Sequence, residues 1–167
     1  MPYVTSVVEL MDLLRTSRDD HALRTAALIR RSHPSDKELQ LAGLLHGIGQ
    51  LLRPGDGVRH AVLAAEAVRP LLGERVARLV RLQASAAGSD RAGGADVPGD
   101  DAGADADAVA TLRQAHDAAA GSGLDAGVLE DWRPLLELVA AGSCRAAPAR
   151  NAIDPLGSPR GSIAGMP

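Results

Sequence analysis

The chain has 167 residues, a formal net charge of −3 and a single cysteine, Cys144. That length supports one domain with its own core rather than two. The weak charge excludes a basic nucleic-acid stripe, and a lone cysteine excludes a disulfide framework. Tyr3 and Trp132 are the only aromatic residues, so the core must come from Ala, Leu and Val on helices that pack closely. The opening residues lack a basic region joined to an apolar run, and no stretch reaches membrane-spanning length. A cytoplasmic protein with no membrane or nucleic-acid partner is therefore expected.

Helical periodicity runs through the first half. Val4, Val7, Val8, Met11 and Leu14 form an apolar stripe that ends at "RTSRDD". Asp19 or Asp20 caps a second helix, "HALRTAALIRRS", which stops before Pro34. Ser35 or Asp36 caps a third, "KELQLAGLLH", with Gly47 and Gly49 as its stop. "GVRHAVLAAEAVRPLL" predicts a fourth helix, disturbed at Pro70, and "GERVARLVRLQASAAG" a fifth. Residues 88–107, rich in Gly and Asp with one aliphatic side chain, Val97, are expected to be a disordered acidic loop. "AVATLRQAHDAAA" resumes helix. "DAGVLEDWRPLLELVAAG" gives the last one, with Leu129, Trp132, Leu136 and Val139 facing inward. Residues 148–167 carry Pro, Gly and Ser without period and are expected to form a disordered tail. The prediction is an all-α bundle of about six helices in one domain over 1–147.

Three histidines sit at predicted helix ends on otherwise apolar faces. His21 shares a face with Thr25 and Leu28, His46 with Leu39, Ala42 and Gly43, and His60 with Ala64 and Ala67. Each alone reads as a satisfied core histidine; three at helix ends can converge on one pocket. Gln83 points its amide along the face of Val76, Leu79 and Val80, where a polar group needs partners. His33, beside Pro34, reads as a loop residue. His116, following Val109 and Leu112, reads as core or surface rather than ligand.

The stretch "HALRTAALIRRSHPSDKELQLAGLLHGIGQLL", followed by "DGVRHAVLAAEAVRPLLGERVARLVRLQASAA", resembles the HD-domain superfamily. Within it the chain is most similar to the phosphonate-cleaving mixed-valent di-iron oxygenases, which carry phrases such as "HALQTA", "AALLHDIGH" and "VRLHVAAK". The resemblance covers Asp19 to Ala87 and implies an HD-like helical fold. It also implies that His21, His46 and His60 match three metal ligands of that family. The bridging aspartate falls on Gly47, the second histidine of "HDIGH" on Gln50, the histidine of "RLHVAAK" on Gln83 and its lysine on Ala87. The final ligand aspartate is expected after the last helix, where this chain reads "CRAAPAR"; Asp154 lies too far along the tail to replace it.

Without a bridging carboxylate two adjacent cations repel, so the resemblance implies a degenerate site with no di-metal centre. The expected cofactor is none, or at most one weakly bound divalent metal. The expectation is a pocket reused on a small organic molecule, with His21, His46 and His60 as acid–base or pocket residues lined by Gln83, Gln50 and Gly47. An isomerase, cyclase or lyase of bacterial specialised metabolism fits this, since histidine titrates near neutrality. The alternatives are a non-catalytic pseudoenzyme that binds a small molecule or protein, and a divergent metal-dependent HD oxygenase or phosphohydrolase.

Overall fold

Short polar side chains start three of the first helices. Ser6 Oγ accepts the Glu9 N–H at 3.2 Å, Asp19 Oδ1 accepts that of Ala22 at 3.1 Å, and Asp36 Oδ1 accepts that of Leu39 at 3.0 Å. Each satisfies an amide that the first helical turn leaves without an intrahelical acceptor. The computed structural model describes residues 3–55, 59–87 and 101–146. These form α1 (Val7–Ser17), α2 (Asp20–Ser32), α3 (Lys37–Leu45), α4 (Ile48–Leu52), α5 (His60–Leu72), α6 (Glu74–Ala87), α7 (Asp101–Gly121) and α8 (Arg133–Ala146). A 3-10 turn over Leu129–Trp132 precedes α8. The domain is all-α, with no strand among the described residues.

The helix α3 is the axis of the core. Every residue from Leu39 to Leu45 is buried, and α2, α6, α7 and α8 all pack against it. Gly43 lets α2 approach closely, because a Cβ there would stand 2.6 Å from Ile29 Cδ1. Trp132, fully buried, supplies the one large aromatic volume, and the Arg30 guanidinium lies 3.9 Å above its ring. On the outside, Arg75 of α6 grips Asp36 through both oxygens and Glu38 through one, at 2.7 to 2.8 Å. That fork ties α6 to the start of α3 and holds the Asp36 carboxyl below its ordinary value.

Four expectations change. The third helix ends at Leu45, just before Gly47 as expected, but the chain restarts at Ile48 as α4 with Gly49 inside it. Pro70 does not disturb α5 beyond the loss of one amide donor near its end, and the helix runs on to Leu72. The expected loop over 88–107 is helical from Asp101 onward. Its composition disfavours helix, but aspartates suit a helix N-terminus, and buried Asp105 gains an ion pair with Arg78 of α6. Residues 88–100 and the expected tail lie outside the described residues. Finally, the last predicted helix divides into the 3-10 turn and α8, with Pro134 in the first turn of α8, where a missing N–H costs nothing. Eight α-helices result among the described residues, where about six were expected.

Candidate functional site

The N-terminal turn of α2, the C-terminal end of α3 and the body of α7 meet at one place. Each brings a histidine: His21, His46 and His116. His21 Nε2 and His116 Nδ1 are hydrogen-bonded at 2.9 Å. The three rings stand edge to face, with centroids 4.4 Å (His21–His116), 4.9 Å (His46–His116) and 5.9 Å (His21–His46) apart. One nitrogen from each lies within 4.8 Å of the others, and all three residues are half-buried.

Hydrogen bonding fixes the chemistry of His46. Its Nδ1 lies 2.7 Å from the Gly43 carbonyl oxygen. A carbonyl only accepts, so Nδ1 carries the proton and Nε2 keeps its lone pair. A backbone carbonyl on one ring nitrogen is the usual way a ligating histidine is oriented. Burial is the main cause holding both His21 and His46 below the ordinary histidine pKa. For His21 the neighbouring His116 adds to it, and for His46 the Gly43 hydrogen bond and Asp19 partly oppose it. Neutral imidazoles at physiological pH are bases and metal donors, not cations.

Those depressed values predict a pH dependence of stability. An unfolded histidine takes up a proton near its ordinary pKa of about 6.5, whereas the folded His21 and His46 resist protonation until lower pH. The unfolded state therefore binds more protons in that window. Stability should be fully present above about pH 6.5 and fall as pH drops below it, levelling once the folded imidazoles also titrate. Urea denaturation from about pH 8 to about pH 5 checks this, with His46→Gln expected to flatten the slope. An unchanged slope in that variant would contradict the assignment.

His60 lies elsewhere. It opens α5, and its Nε2 donates to the Arg53 carbonyl oxygen at 3.0 Å. It is not part of the group whose nitrogens lie within 4.8 Å of one another. Gln50 is exposed on α4. Gln83 is buried, and its Oε1 has no hydrogen-bond partner among the described residues. Gly47 sits half-buried beside the Asp19 carboxylate.

The sequence reading missed His116. The available signal was the one used for the other histidines: an imidazole four residues after fully buried Leu112, on the inward face of its helix. Asp19 was seen only as a helix cap. Next to the histidines lies a cavity of about 160 Å³. Leu44, Ile48 and Leu129 form apolar walls, Arg18 and Asp20 contribute charge, and Asp19 and Gly47 form part of the lining. None of the three imidazoles lines it directly; Asp19 and Gly47 stand where cavity and cluster adjoin.

No family model, curated protein or solved structure matches this chain. The residues present do not fit the di-iron centre of the family that the sequence resembles. Position 47 offers no carboxylate, Gln83 offers an amide, and His60 is engaged with the Arg53 carbonyl. No helix among the described residues is long and apolar enough to cross a membrane.

Proposed function

We propose that the chain is a degenerate relative of the HD-domain superfamily that works on a small organic molecule at a single three-histidine centre. The observation that carries this is the convergence of His21, His46 and His116, with their nitrogens within 4.8 Å. Three neutral imidazoles suit one zinc-like divalent ion, with a further position open to a ligand. Such an ion would act as a Lewis acid on a polar group of the bound molecule. The adjoining cavity of about 160 Å³ takes a small apolar body with one polar group, and its Asp19–Gly47 corner turns that group toward the centre. In this proposal the protein is a cytoplasmic bacterial one, in keeping with its single cysteine.

A second reading rests on the 2.9 Å contact between His21 Nε2 and His116 Nδ1. Two imidazoles joined by one hydrogen bond can pass a proton between them, and such an acid–base pair needs no metal, as an isomerase or lyase uses. Elemental analysis of protein purified from iron- and zinc-supplemented cells separates the cases. One divalent ion per chain is expected, and two coupled irons would overturn the proposal. Protein that takes up no zinc or cobalt at neutral pH would reject the metal centre and leave the acid–base pair.

A further inference from the structure

Gly47 is not a glycine for the sake of its backbone. Its φ of −87° and ψ of −6° are open to any residue. What the missing side chain provides is room, and the room is used. The nearest atom to a Cβ built at position 47 is Asp19 Oδ2, at 3.1 Å. Asp19 divides its two oxygens between two tasks. Oδ1 accepts the Ala22 N–H and caps α2, while Oδ2 faces Gly47 with no hydrogen bond or ion pair to any described residue. The neighbouring residues Ala22, Leu44 and Ile48 are apolar and buried, while Arg18, Asp20 and Glu130 line the same cavity.

We infer that Asp19 supplies, from the start of α2, the negative charge that position 47 does not carry, so that the ion site comprises His21, His46, His116 and this carboxylate. The inference rests on the three-histidine proposal above. Three neutral imidazoles leave both charges of a divalent ion uncompensated, and a half-buried cation without an anion is costly. Asp19 is two residues before His21, and its Oδ2 lies beside Gly47, the residue after His46, so its charge acts on both imidazoles. Its oxygen lies outside the group that the imidazole nitrogens form. Its role is therefore that of a counter-charge beside the ligands. Carboxylates that support metal ligands change metal affinity by about 10- to 100-fold, the scale expected for Asp19 as a counter-charge.

Cobalt(II) titration of the full chain, followed by visible absorption, tests this without any substrate. Asp19→Asn keeps the cap and the side-chain size but removes the charge. It should retain wild-type helicity by circular dichroism and bind cobalt about 10- to 100-fold more weakly. Gly47→Asp in the otherwise unchanged chain should bind no more tightly, since two carboxylates would crowd one space and repel. Combined with Asp19→Asn, Gly47→Asp should restore affinity by supplying the charge from the other side. Undiminished affinity in Asp19→Asn, or a gain of about tenfold or more in Gly47→Asp alone, would overturn the inference. Absence of cobalt binding in the wild-type chain, or binding indifferent to His46→Gln, would instead overturn the three-histidine proposal beneath it.

Discussion

A His116→Gln protein is expected to lose its hold on a divalent ion, while His60→Gln keeps it. The first removes one of three nitrogens that lie within 4.8 Å of one another. Two imidazoles remain, and affinity should fall on the order of a hundredfold or more, beyond the effect of an outer partner. His60 has its Nε2 on the Arg53 carbonyl at 3.0 Å, a bond that a glutamine amide can also donate. Its replacement should leave cobalt affinity within about threefold. The pair reverses the expectation drawn from sequence, in which His60 belonged to the site and His116 did not. Equal losses in both variants, measured by isothermal titration at neutral pH, would show that α5 contributes a ligand after all.

Gly49→Ala should be the most damaging of the Gly→Ala changes among the described residues. Alanine ordinarily stabilises a helix relative to glycine by roughly 1 kcal/mol. At position 49 the sign reverses, because the new Cβ would stand 2.0 Å from the His60 carbonyl oxygen, 2.6 Å from its carbon and 2.8 Å from its Cα. All three atoms are backbone, so no side chain can rotate away. Relief requires α4 and α5 to move apart at a place where Ile48 and Ala64 are already in the core. We expect a loss of about 3 kcal/mol or more, the upper range for overpacking, and a melting temperature lower by roughly 10 °C or more. Gly142→Ala is the control. It lies on α8 with nothing within 4 Å of the added carbon, so it should be neutral or stabilising by about 1 kcal/mol. A Gly49→Ala protein that melts with the wild type would mean that the two helices do not touch in solution.

Much of the helical frame was legible because its signals are local. Caps at Asp19 and Asp36, and an apolar stripe through Val4, Met11 and Leu14, depend on neighbours within one or two turns, although Val8 of that stripe is exposed and Leu10, outside it, is buried. The first turns of α7 were not legible, since "DAGADAD" opposes helix by composition. The ion pair of Asp105 with Arg78, 27 positions away by their numbers, contributes stability that no window around residue 105 contains. The restart at Ile48 was hidden for a similar reason. Two glycines read as a terminus, but Gly49 is there so that α4 can lie against the backbone at His60.

What the sequence by itself determined is the helical class and most of the element positions, because each follows from side-chain chemistry read in place. His21 and His46 were also recognisable as candidates from their positions on apolar faces. Only the tertiary structure decided which imidazoles meet. Residues 21, 46 and 116 lie on three helices, and their approach depends on how α2 and α7 cross α3, with Gly43 setting the spacing to α2. It also decided what fills the space at Gly47. Whether a missing side chain leaves a void or makes room for Asp19 depends on the packing of α2 against α3, and such non-local packing leaves no periodicity along the chain.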